Sequence, residues 1–217
     1  NLDDMNKLAL GTVQFGLDYG ITNSKGQVQI EEVKSILEYA KENNINILDT
    51  AASYGNSEEV LGNVSIDDFE VITKTIPLKN GANEVIKRFQ QSLIYLNKFS
   101  VNGLLIHNIN EIEHKSFDAL FNKLNELKNK GLIKKIGFSA YTPEQVDFLL
   151  KKFDFDLIQV PFNILDDRLM QGGQLKVLNN KGIEVHVRSI FLQGLLLMSK
   201  QNRPRKFKRW DTLWKIW

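Results

Sequence analysis

The chain has 217 residues, 42% of them hydrophobic and 25% charged, which is enough for one sizeable core and short for two. Its net charge of +2 is too small to point to nucleic acid or an acidic membrane surface. With no cysteine there is no disulfide, thiolate nucleophile or thiolate metal site, which fits a reducing compartment.

The polar, acidic start N-L-D-D-M-N-K does not read as a signal peptide. The longest apolar run, residues 191–198, contains Gln193 and Gly194 and falls well short of a membrane span of about 20 residues. A cytoplasmic protein is expected.

In chain order, residues 8–15 read as a strand that ends in the loop F-G-L-D-Y-G. Ile30, Val33, Ile36, Leu37 and Ala40 repeat at helical spacing, so a helix covers 30–43. A strand over 45–49 ends in Asp49, and its loop carries Tyr54 and Gly55. Asn56 or Ser57 caps a short helix that Gly62 ends. A strand over 69–75 carries Lys74 and stops before Pro77, and a helix covers 83–97. The strand over 101–107 ends in His107, and a helix over 116–130 is closed by Gly131. A strand over 133–139 ends in Ser139. Thr142 then caps a helix with Pro143 in its first turn, running to about 152. A strand over 157–161 contains Gln159. A helix over 168–181, weakened at its start by Gly172 and Gly173, precedes a strand over 184–190. In the tail, Phe207, Trp210, Leu213, Trp214 and Trp217 follow helical spacing. They suggest a seventh helix and a surface for self-association.

Regular βα alternation implies a parallel sheet covered by helices. A doubly wound sheet would place a glycine-rich nucleotide turn after its first strand, and F-G-L-D-Y-G is not G-x-G-x-x-G. A (β/α)8 barrel needs eight strands, and about seven βα units are present, so residues 1–217 read as one barrel domain lacking its C-terminal unit. The barrel is preferred because the chemistry-bearing residues end strands, and that rim is the active-site face of barrels.

Asp49, Tyr54, Lys74 and His107 come from the ends of neighbouring strands and the loop between them. Singly, each has an ordinary structural reading. Together they form an acid site. A tyrosine normally titrates near pH 10, and an adjacent ammonium lowers that value. A carboxylate keeps the lysine charged, and a histidine orients the substrate oxygen. Such a set suits protonation of an oxygen that is gaining charge, as in carbonyl reduction. Lys74 acting instead as a Schiff-base nucleophile is a further reading.

The motifs L-D-T-A-x-x-Y-G, T-K ending the third strand and L-L-I-H ending the fourth resemble the aldo-keto reductases, as does the opening L-A-L-G-T-V-Q-F-G. The resemblance implies NADPH, or less often NADH, as cofactor and a small carbonyl compound as substrate. By it, Tyr54 is the general acid, Lys74 and Asp49 tune it, and His107 positions the carbonyl. Ser139 and Gln159 match residues that hold the nicotinamide amide, although Ala140 stands where the family usually has asparagine. Arg188 falls where an aromatic residue often stacks on the nicotinamide. Gln193 and Gly194 resemble the loop along the pyrophosphate. Ala140 and Arg188 keep open a non-catalytic, nucleotide-binding subunit on the same barrel. Tyr19, Phe162 and Phe191 are candidate pocket walls. His107 and His114 have no matching ligand set, so no metal is expected.

Overall fold

The computed structural model describes residues 7–210 and Thr212. Strand β1 (Ala9–Gly11) is shorter than the expected 8–15. After Thr12 the chain turns into a single helical turn, α1 (Val13–Gly16), with Phe15 N donating to Thr12 O at 2.9 Å. This turn presses Gly16 onto the Tyr54 turn. A Cβ at Gly16 would stand 1.8 Å from the Tyr54 carbonyl oxygen, which only glycine avoids.

Helix α2 (Ile30–Glu42) buries Val33, Leu37 and Ala40, as its periodicity requires. There follow β2 (Ile47–Asp49), α3 (Ser57–Asn63), β3 (Glu70–Lys74), α4 (Ala82–Tyr95) and β4 (Val101–Ile106). Next come α5 (Phe117–Asn129) and β5 (Ile133–Ser139). Helix α6 (Pro143–Lys152) has the expected cap, Thr142 Oγ1 accepting from Gln145 N at 3.3 Å. Strand β6 (Leu157–Pro161) follows.

The helix expected over 168–181 is two pieces, α7 (Arg168–Gln171) and α8 (Gln174–Asn180). Gly173 between them adopts φ +81°, a left-handed conformation that no right-handed helix can include. Strand β7 (Glu184–Arg188) stops two residues before the expected end, because Ser189 turns left-handed with φ 61°. In the tail, Arg205–Trp210 is a 3-10 helix and not an α-helical turn. Leu213, Trp214 and Trp217, on which the apolar face and the self-association surface depend, lie outside the described residues.

The seven strands form one parallel sheet in the order β1-β2-β3-β4-β5-β6-β7. A doubly wound sheet reverses its strand order at a switch point. Here the order never reverses, so successive helices stack on one face and the sheet curls its other face inward, as in a (β/α) barrel. Ile72, Leu105 and Leu157, with Ile47 packed against them, fill that concave face. Gly103 and Gly137 make room between them: a Cβ on Gly103 would meet Ile72 and Leu157 at 2.7 Å. Among the described residues, no helix is long and apolar enough to cross a membrane.

Candidate active site

Above the apolar interior, at the C-terminal ends of the strands, the side chains become polar. Strand alternation turns Asp49 and Lys74 inward from β2 and β3. Lys74 is 2% exposed. Its Nζ lies 2.8 Å from both Asp49 carboxylate oxygens and 2.8 Å from the Thr50 carbonyl oxygen. Tyr54 Oη is the outermost partner, at 3.5 Å. The turn that brings it there rests on buried hydroxyls: Ser57 Oγ donates to Thr12 O at 2.9 Å, and Thr50 Oγ1 contacts Ser57 Oγ at 3.2 Å.

Burial sets the protonation of this group. It pushes the Tyr54 phenol above its ordinary value, and the Asp49 charge adds to the rise. The sequence suggested the opposite, a phenol lowered by Lys74. The reason is first the burial of the phenol and then the negative charge of Asp49, which is bound to Lys74. Burial likewise draws Lys74 below the usual lysine range, while Asp49 pulls it back. In the resting site the phenol keeps its proton.

His107 follows β4 and meets Tyr54 edge-on, with ring centroids 6.0 Å apart and an interplanar angle of 81°. Its Nδ1 lies 3.3 Å from Ser53 Oγ. Burial first, then the Lys74 charge, lowers its pKa to about 4, so the imidazole is neutral at neutral pH. His107 opens onto a cavity of about 500 Å³ walled by Ser53, Ile76, Asn108, Tyr141 and Gln145 among others. Tyr19, Phe162 and Phe191 do not line it, and Tyr19 and Phe191 are exposed on the surface. The walls come instead from the loops after β2, β3, β4 and β5.

The other candidates come from β5, β6, β7 and the segment after β7. Ser139 and Gln159 are register partners at the ends of β5 and β6, and both are buried. Gln159 Nε2 donates to Asp49 Oδ1 at 2.7 Å. The Arg188 guanidinium lies 4.0 Å from the Tyr141 ring centre, and its Nη2 is buried with no hydrogen-bond partner among the described residues. Gln193 and Gly194 sit further out. Gln193 Nε2 donates to Tyr19 Oη at 3.0 Å and its Oε1 accepts from Ile21 N at 3.1 Å. Ser189, Leu192 and Gln193 all have φ above +45°, so three non-glycine residues in five hold a strained conformation after β7.

Several contributors escaped the sequence reading. Tyr141 follows Ser139-Ala140 and had no motif to mark it. Glu58 falls within the short helix after Tyr54, where the sequence assigns it no role, yet it is buried. Its position three residues before Leu61, on the face that packs inward, was the available signal.

The sequence matches the aldo/keto reductase family over residues 7–214. Oxidoreductase sirO of Leptosphaeria maculans is 27% identical, covering 94% of this chain and 65% of that protein, so the chain spans just under two thirds of this curated relative. The holo form of aldo-keto reductase AKR11C1 from Bacillus halodurans superposes with a TM-score of 0.72 at 22% identity, covering 91% of this chain and 66% of that one. The Bombyx mori aldo-keto reductase AKR2E4, solved in complex with NADP, gives a TM-score of 0.63 at 22% identity, covering 84% and 62%. At these identities the two structures establish a shared fold.

Proposed function

The chain belongs to the aldo/keto reductase family, and from that premise we propose that it reduces a small aldehyde or ketone to the alcohol in a cytoplasmic setting, using NADPH or NADH. The observation that carries this reading is the contact between the Tyr54 hydroxyl and a buried, aspartate-paired Lys74 at the strand ends. A phenol held protonated has one proton to give. As that proton passes to a carbonyl oxygen, negative charge grows on Tyr54 beside Lys74 Nζ, and the cation stabilises the group most at that moment. Neutral His107 has one ring N–H, and in the tautomer that carries it on Nε2, with Nδ1 accepting from Ser53 Oγ, it donates to the same carbonyl oxygen.

The residues present suit a nicotinamide dinucleotide. The unpartnered Arg188 Nη2 offers a charged donor for a pyrophosphate oxygen, or the guanidinium plane can lie against the nicotinamide. Ser139 and Gln159 would hold the carboxamide, and Gln193 and Gly194 would follow the pyrophosphate. When bound, the dihydronicotinamide supplies the hydride that the carbonyl carbon receives while Tyr54 protonates the oxygen.

Ala140, fully buried where the family usually has asparagine, favours a second reading, a nucleotide-binding subunit without turnover. A Schiff-base role for Lys74 has less support, because three oxygen acceptors at 2.8 Å favour the ammonium form. The test is titration with NADPH and then NADH by nicotinamide fluorescence, followed by carbonyl turnover in the parent chain and in Tyr54→Phe. Turnover that Tyr54→Phe abolishes with cofactor binding intact supports the reductase. Full activity in the variant removes the acid role. Binding without turnover in the parent favours the subunit.

A further inference from the structure

Two side chains outside the strand-end group touch both segments that the proposed reaction must hold together. Glu58, on α3, is a carboxylate only 2% exposed. Its Oε1 accepts from Thr73 Oγ1 at 2.7 Å, and its Oε2 accepts from Arg88 Nη2 at 2.8 Å and from Ser92 Oγ at 2.9 Å. Arg88 Nη2 also donates to the Ala52 carbonyl oxygen at 3.2 Å, and its Nη1 donates to Ser92 Oγ at 2.6 Å.

The positions of these partners matter. Ala52 precedes Tyr54 in the turn and Glu58 follows it, so one guanidinium grips both arms of the turn. Thr73 adjoins Lys74 in β3. Strand alternation sends Thr73 outward to Glu58 while Lys74 points inward to Tyr54. A buried carboxylate is costly unless it is paired and hydrogen-bonded, and Glu58 meets both conditions through β3 and α4, adding to the backbone bond from Ala52 N to Lys74 O at 3.3 Å that already joins the turn to β3. The Lys74–Tyr54 separation of 3.5 Å is the longest polar contact of Nζ. It is therefore the first to lengthen if the turn drifts.

We infer that Glu58 and Arg88 are positioning residues, a partly buried ion pair that fixes the Tyr54 hydroxyl against Lys74. The kinetic consequence rests on the proposed reductase reading, whereas the placement of the tyrosine does not.

The experiment compares the parent chain with Arg88→Met, Arg88→Lys and Glu58→Gln. Arg88→Met is expected to lower kcat about tenfold or more, with KM and the NADPH Kd within about twofold, because a misplaced acid costs rate and not binding. Arg88→Lys keeps a cation at Glu58 but cannot bridge to Ala52 O and Ser92 at once, so it recovers part of the loss. A second readout needs no turnover: the ring-carbon NMR signal of Tyr54, assigned with Tyr54→Phe, should move in Arg88→Met and return toward the parent in Arg88→Lys. Lowered stability with an unmoved Tyr54 signal and unchanged kcat would overturn the inference and leave the pair a merely structural one. If Arg88→Met does not fold, Arg88→Lys and Ser92→Ala, which removes one donor from Glu58, carry the same two readouts. If the parent reduces no carbonyl, the reductase reading fails, and the Tyr54 signal still decides whether the pair positions the phenol.

Discussion

Gln159 Nε2 donates to Asp49 Oδ1 at 2.7 Å, joining residues 110 positions apart on β6 and β2. We propose two tasks for this one amide. It stands where the sequence suggests a partner for the nicotinamide, and it orients the carboxylate that holds Lys74.

Gln159→Leu should expose both tasks. Removing the donor leaves Lys74 Nζ as the remaining partner of Asp49 Oδ1, a loss of about 1–2 kcal/mol for a hydrogen bond to a partly buried charged group. Urea denaturation should show that loss, and turnover should fall together with NADPH affinity. Ser139→Ala should weaken cofactor binding while leaving turnover at saturation nearly unchanged. Equal effects of the two variants on turnover would remove the Asp49 role of Gln159.

Asp49→Asn leaves Lys74 buried without its counter-charge. Removing one partner of a buried pair costs about 3 kcal/mol. It also removes what raises Lys74, so the lysine falls further below its ordinary 10.5. Between the folded and unfolded pKa values the unfolded chain then binds more protons, and stability rises with pH. Denaturation midpoints for Asp49→Asn should therefore approach those of the parent as pH rises toward 10.5. A constant difference across pH would contradict this account.

His107 acts in the same direction at acid pH. Its folded pKa is about 4 against 6.5 for a free histidine. Between those values an unfolded His107 takes up a proton that the folded one refuses, so stability is lost as pH falls from 6.5 toward 4. Thermal midpoints of the parent and His107→Asn should diverge less at pH 5 than at pH 7, because the variant no longer pays this acid penalty. Turnover should show no limb from His107 between about pH 6 and 8. A histidine NMR titration with a midpoint near 6.5 would contradict both statements.

The barrel interior offers a packing test. A Cβ at Gly137 would stand 1.7 Å from the Leu157 carbonyl oxygen, which is backbone. At Gly103 it would meet only the ends of Ile72 and Leu157, at 2.7 Å. Gly103→Ala should cost about 1–3 kcal/mol as side chains shift, whereas Gly137→Ala should cost more, because β5 and β6 must part. Chemical denaturation of the two variants ranks them, and the reverse order would show that β6 yields more readily than the side chains.

Much of this was legible in the order of the residues. Apolar spacing located the strands and the longer helices but not the α1 turn, because burial of one face is a local property of the sequence. Regular alternation without a G-x-G-x-x-G turn favoured the barrel, and the unreversed strand order bears that out. The short strands β1 and β7 and the break at Gly173 were misjudged, because left-handed residues and a packed glycine set those ends and apolar pattern does not register them. Asp49, Tyr54, Lys74 and His107 were visible as polar residues at strand ends. What they do to one another was not. The Tyr54 pKa rises instead of falling, Gln159 holds Asp49, and Glu58 is buried beneath the Tyr54 turn. Each of these depends on desolvation and on donors brought from distant elements. The sequence by itself determined which side chains stand at the strand ends, and only the tertiary structure decided how much water and which opposing charge each one meets.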